Sequence, residues 1–172
     1  LRKLAADGAA YRREGQVWIE GEHLCDAFLR HGGVPSQAVV TDEAWATPAL
    51  RALAARAEAV AVLPQPLMEG VSTLPSAPPV AFVVPWASAV PVQPGVATVV
   101  LDRVQDAGNV GSILRSAAAF GFAQVVALAG TAALWSPKVL RAGMGAHFGL
   151  HLVEGAGDAV LDTLAVPLLG TG

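Results

Sequence analysis

At 172 residues, 53% of them hydrophobic and 15% charged, the chain can bury one large or two small cores, which excludes a disordered or low-complexity protein. Its net charge of −3 carries no global basic signature, so any contact with nucleic acid must come from local patches. The single cysteine, Cys25, excludes a disulfide framework or a Cys-rich metal site and fits a reducing compartment, where it reads as a small buried hydrophobe.

In chain order, "LRKLAADGAAYRREG" has no apolar signal core, and no later run reaches the roughly 18 apolar residues of a membrane span. The expectation is a soluble, cytoplasmic protein. "QVWIE" (16–20) and "SQAVVTD" (36–42) read as strands. Between them "EHLCDAFLRH" (22–31) carries Leu24, Phe28 and Leu29 at helical spacing, stopped by Gly32-Gly33. A second helix is predicted over 47–59, with Thr47 as N-cap and Pro48 at its first position. "VAVLP" (60–64) and "PVAFVV" (79–84) read as buried strands, so residues 1–84 form a small α/β domain. Trp18 and Phe28 alternate with apolar neighbours and read as core.

"PWASAVPVQPG" (85–95), with three prolines and almost no charge, reads as a stiff extended connector. A second domain over 96–172 then alternates regularly. Strands are predicted at 96–102, 123–128, 149–154 and 166–171, and helices at 109–120, 136–146 and 158–164. That pattern is an open parallel sheet. The histidines 23, 31, 147 and 151 have no ligand spacing with Cys or carboxylates, so no metal is expected.

"LDRVQDAGNVGSILRSAAAFGF" (101–122) concentrates the chemistry. Asn109 stands where it caps a helix starting at Val110 or takes part in a site. At about 100° per residue, Gly108, Gly111, Ser112, Arg115 and Ala119 share a stripe nearly stripped of side chains, while Ile113, Leu114, Ala117 and Phe120 turn to a core. Arg115 therefore stands on a bare face at the carboxyl end of a parallel strand, where open α/β sheets place ligands, near a helix N-terminus suited to an anion. No Walker lysine or dinucleotide fingerprint is present.

This stretch resembles the first motif of the SpoU-type (TrmH-like) 2′-O-ribose RNA methyltransferases of the SPOUT superfamily of knotted α/β enzymes, through Asp102, Gly108, Asn109, Gly111 and Arg115. "LWSPKVLRAGMGAHFGLHLV" (134–153) resembles the next family segment. Lys138 and Arg141 match its basic positions and Gly145-Ala146 its small pair, while Gly143 replaces the usual Ser. "YRREGQVWIEGEHLCDAFL" (11–29) is similar to the substrate-binding domain that precedes the knot in many members, with Arg12, Arg13, Glu20, Gly21 and Glu22 matching. The family's later Gly-x-Glu and Ser-Leu-Asn motifs do not occur here, so the C-terminal part of the knotted domain is expected to lie outside this chain.

The resemblance implies S-adenosyl-L-methionine as cofactor, with Leu169, Gly170 and Thr171 beside it, and methyl transfer to a ribose 2′-hydroxyl of RNA, ribosomal before transfer RNA. It implies Arg115 and Asn109 as catalytic, and Arg12, Arg13, Gly111, Ser112, Lys138 and Arg141 as RNA contacts. A guanidinium stays protonated, so Arg115 fits an orienting fork of donors better than a general base. Dimerisation through the knotted domain is implied as well. The alternatives are a non-catalytic RNA-binding module that retains the fold and a generic nucleotide-binding domain.

Overall fold

Two sheets organise the chain, and the computed structural model describes residues 1–88 and 90–170. Helices α1 (Arg2–Ala6) and α2 (Ala10–Glu14) come first, and Gly15, at φ 64°, ends α2 in the left-handed conformation that only glycine adopts cheaply. The chain then forms β1 (Gln16–Glu20), α3 (Glu22–Arg30), β2 (Gln37–Thr41), α4 (Asp42–Ala46), α5 (Pro48–Ala54), β3 (Val60–Leu63), α6 (Gln65–Val71) and β4 (Val80–Pro85). Its sheet runs β1-β4-β2-β3, with β4 antiparallel to β1 and β2, and β3 parallel to β2.

The continuous apolar run of β4 suits its central place, and Val80 to Val84 are all buried. The run at 60–64 was expected to be buried too. Instead β3 pairs only with β2 and leaves Val60 and Val62 exposed, because an apolar run does not report how many neighbours a strand will have. The second predicted helix stops at Ala54 and not at 59. Helices α1, α2, α4 and α6 span five to seven residues, too short to display a 3.6-residue period, and escaped the sequence reading.

The second half contains β5 (Thr98–Leu101), α7 (Ala107–Ala119), β6 (Gln124–Leu128), α8 (Pro137–Gly143), a 3₁₀ turn (Ala146–Gly149), β7 (His151–Ala156) and another 3₁₀ turn (Asp158–Thr163). Strands β5-β6-β7 form the expected parallel sheet. Two expectations fail at its end. Residues 158–164 make a 3₁₀ turn and no α-helix, and no strand forms over 166–170. There Ala165 donates its N–H to Pro94 O, and Pro167 has no N–H to offer a ladder. Strand formation needs an adjacent edge as well as an apolar run.

The connector is no free spacer. Val90 and Val92 pack on Val126, Leu128 and Val153, and the Gln124 side-chain amide accepts from Gln93 N–H (2.8 Å) and donates to Gln93 O (3.2 Å). Segments of the second half also close the first core: Leu140 of α8 is buried there, with Trp135 and Phe148 packed against it. Among the described residues no helix is long and apolar enough to cross a membrane.

Candidate functional site

Helix α7 begins three residues earlier than its sequence suggested. Asp106, not Asn109, is the N-cap, and its carboxylate accepts from the Asn109 N–H at 2.7 Å. Asn109 is thus the third helical residue, exposed, with its side-chain amide making no hydrogen bond among the described residues. Both residue types cap helices about equally well, and the extended backbone of Asp106 (φ −76°, ψ 120°) puts it at the cap position. The Asp-Ala-Gly-Asn order therefore resolves in favour of Asp106.

The stripe of small residues divides. Gly111 is buried where α7 meets α8, and a Cβ there would lie 2.3 Å from Ala142 Cβ and 2.7 Å from Ala142 C. Only glycine lets these helices approach so closely. Ser112 and Arg115 stay exposed, whereas Val110, Leu114 and Ala117 are buried. Phe120, expected in the core, is 82% exposed, because helix α7 has ended and Phe120 is its C-cap.

The five cation positions fall into two groups. Arg115 and Lys138 are exposed and, among the described residues, no carboxylate pairs with either. The others are engaged. Arg13 bonds Asp7 at 2.5 Å, Arg12 bonds Glu154 at 3.0 Å, and Arg141 lies 3.4 Å from Glu20. The last two pairs link the first half of the chain to the second. Glu154 of β7 is the centre of the first: both its oxygens accept from Tyr11 Oη (2.5 and 2.7 Å), and one also accepts from Arg12 and from Leu134 N–H (2.6 Å). Burial and the adjacent carboxylate push the Tyr11 hydroxyl well above its ordinary pKa, so it remains a donor. Buried Glu20 also accepts from Trp18 Nε1 and Ser72 Oγ.

At the carboxyl end of β5, Asp102 is exposed and bonds the neighbouring Arg103, which reaches across to Asp158 (3.0 Å). Arg103 was not singled out from sequence. Its φ of 55° lies in a region that non-glycine residues seldom occupy.

Two cavities share Trp86 in their walls. One of about 430 Å³ sits at the carboxyl ends of β6 and β7, lined by Arg12, Trp86, Ser88, Gly130, Thr131 and Glu154, among others. The second, of about 320 Å³, is walled by Phe28, Trp86, Trp135 and Phe148, with His31 and His151 beside them.

His147 explains one departure from the resembled family. The ring is buried, its Nε2 lies 2.8 Å from Leu134 O, and a Cβ at position 143 would come within 2.4 Å of its Cε1. Gly143 makes room for the histidine, where a serine side chain would collide with it.

Leu169 and Gly170 build no cradle. Leu169 is 93% exposed, and open space surrounds the point where Gly170 would carry a Cβ. Thr171 lies outside the described residues. The described residues of this segment therefore do not by themselves fit a cofactor. No group of three His, Cys, Asp or Glu gathers for a metal among the described residues.

The family model of the SpoU rRNA Methylase family matches residues 97–165, which contain α7, the exposed Arg115 and all three parallel strands. A 23S rRNA (uridine(2479)-2′-O)-methyltransferase of Streptomyces viridochromogenes is 30% identical over 151 residues, 83% of this chain. Residues 97–165 thus carry the sequence pattern of the SpoU family. Mouse mitochondrial rRNA methyltransferase 3 shares 51% identity with this chain over 55 residues, 32% of the chain. In fold, the SpoU methyltransferase AviRb of S. viridochromogenes, crystallised with AdoMet, superposes with a TM-score of 0.81 at 23% identity, over 94% of this chain and 63% of that one. A TrmH-family protein of Porphyromonas gingivalis gives a TM-score of 0.76 at 30% identity, over 93% and 62%. The chain spans 52% of the Streptomyces relative and 13% of the mouse one.

Proposed function

We propose that this chain supplies the RNA-facing part of an S-adenosyl-L-methionine-dependent enzyme that methylates a ribose 2′-hydroxyl, in ribosomal RNA ahead of transfer RNA. The observation that carries this reading is Arg115: an exposed guanidinium without a carboxylate partner among the described residues, on the helix that holds the family motif. A free fork of donors beside a ribose grips the adjacent phosphate and aligns the hydroxyl. Alignment dominates such a reaction, since a sulfonium already leaves readily. Asn109, with its side-chain amide free, serves the ribose or the loop, and Lys138 the backbone charge. The relatives named as rRNA methyltransferases support ribosomal RNA. Exposed Phe120 and Met144 at the ends of α7 and α8 support self-association of this half into a homodimer.

A second reading, a non-catalytic RNA-binding module, keeps the exposed Arg115 and Lys138 as RNA contacts without methyl transfer. Transfer of a labelled methyl group to ribosomal RNA by the full-length protein separates the two. Arg115→Ala is expected to lose transfer, with stability unchanged to within about 0.5 kcal/mol because no core contact is removed. Activity within a few-fold of the parent protein overturns the role of Arg115, and no transfer by the parent protein favours the second reading.

A further inference from the structure

Trp86 is the first residue after β4, and nothing in its sequence surroundings marks it out from a proline-rich connector. Three features give it a special place. Its indole belongs to the walls of both cavities described above, so it forms the partition between a space of about 320 Å³ and one of about 430 Å³. Its backbone is fixed by a 2.9 Å hydrogen bond from its N–H to Gly15 O. Its ring meets that of Tyr11 edge-on, with centroids 4.9 Å apart and planes at 79°.

Tyr11 is in turn immobilised. Its hydroxyl is held by both oxygens of Glu154, and the Arg12 guanidinium lies over its ring, 5.3 Å from the centroid. Trp86, Tyr11 and Arg12 thus form a braced stack, anchored on β7 of the other sheet through Glu154. Such bracing is more than a surface tryptophan needs for packing. The ring is partly buried against the first core, and the part of its π-surface that lines the cavities is held in one orientation before any ligand arrives, which lowers the entropic cost of binding.

We propose that Trp86 is a stacking platform for unpaired bases of RNA, with the flanking cavities receiving the bases and the Arg12 guanidinium standing at the mouth of the larger one. This rests on the reading of the chain as RNA-facing. The chemistry favours single-stranded RNA over other occupants. Every base offers a π-face to an indole, and such stacking needs no free cation, so Arg12, already paired with Glu154, serves here to hold Tyr11 in place. Phe28, Phe148 and Trp135 add apolar walls in the smaller cavity. The larger cavity opens at the carboxyl ends of β6 and β7, the end of the sheet at which Asp102 also lies. A duplex keeps its bases stacked inside and has nothing to insert. The platform therefore selects unpaired nucleotides.

The test titrates a single-stranded oligoribonucleotide, and the same sequence as a duplex, into the protein while following tryptophan fluorescence and anisotropy of a labelled RNA. The single strand is expected to quench fluorescence and bind more tightly than the duplex. Trp86→Ala is expected to weaken single-strand binding by about tenfold and to abolish most of the quenching, while Trp86→Phe keeps affinity within a few-fold. Should the alanine variant fail to fold by circular dichroism, the phenylalanine variant decides, because it must bind while losing the quench. RNA binding by the parent protein with unchanged affinity in Trp86→Ala, or unchanged quenching in Trp86→Phe, overturns the platform alone. Absence of RNA binding by the parent protein overturns both the platform and the RNA-facing reading.

Discussion

Lowering the pH from 7.5 to 4.5 should expose a cost that His147 imposes on the fold. Its ring is 1% exposed. Nε2 donates to Leu134 O, which leaves Nδ1 as a bare lone pair facing Gly143, with no hydrogen-bond partner among the described residues. Protonating Nδ1 in the folded protein would bury a cation and a donor with no acceptor, and burial accordingly pushes the pKa down to about 4. In the unfolded chain the imidazole returns to its ordinary value of 6.5. Between these values the unfolded state takes up a proton that the native state refuses, so stability falls as pH falls. The contribution is fully present above 6.5 and is lost progressively down to about 4. The interval corresponds to about 3 kcal/mol, a large share of the roughly 5–15 kcal/mol available to a domain. Urea unfolding at several pH values between 7.5 and 4.5 measures it. The parent protein should lose stability more steeply than His147→Gln, which retains a donor for Leu134 O and removes the titration. Parallel stability profiles for the two proteins would falsify this account of the buried ring.

Two further outcomes follow from packing and charge. Gly111→Val forces a side chain into Ala142 and the α8 backbone, so thermal unfolding should report a loss of at least 1–3 kcal/mol, roughly the cost of overpacking a core. A melting temperature equal to that of the parent would mean that α7 and α8 can separate freely. Glu154→Ala removes the charged acceptor of the part-buried Tyr11 hydroxyl, while the half-exposed Arg12 guanidinium is left to solvent, and chemical denaturation should show a loss of about 1–3 kcal/mol. Glu154→Gln, which keeps one acceptor oxygen, should lose less, and equal losses in the two variants contradict the charge-based explanation.

Much of the candidate site was legible because its signals are local. Asp102, Asn109, Gly111 and Arg115 fall at fixed offsets around one strand-turn-helix unit, and a period of 3.6 residues suffices to place Arg115 off the core face. Cys25 was recognisable as buried from the apolar helix around it, and burial pushes its thiol well up. The capping residue was misjudged by three positions because Asp106 and Asn109 both have the side chains that cap helices, and only the backbone geometry chooses between them.

The sequence by itself determined the strand-helix-strand alternation around the motif, the parallel character of the second sheet and the motif helix with its exposed arginine, since each depends on residues within one or two turns or strands of one another. Only the tertiary structure decided which cations are free. Arg12 and Glu154 are 142 positions apart and Glu20 and Arg141 are 121 apart, and no local pattern records that these charges neutralise each other. The same holds for Gly111 beneath Ala142 and for Trp86 between two cavities. A side chain's chemistry is written in the chain, but whether it meets a partner or stays available depends on the packing of segments far apart in sequence.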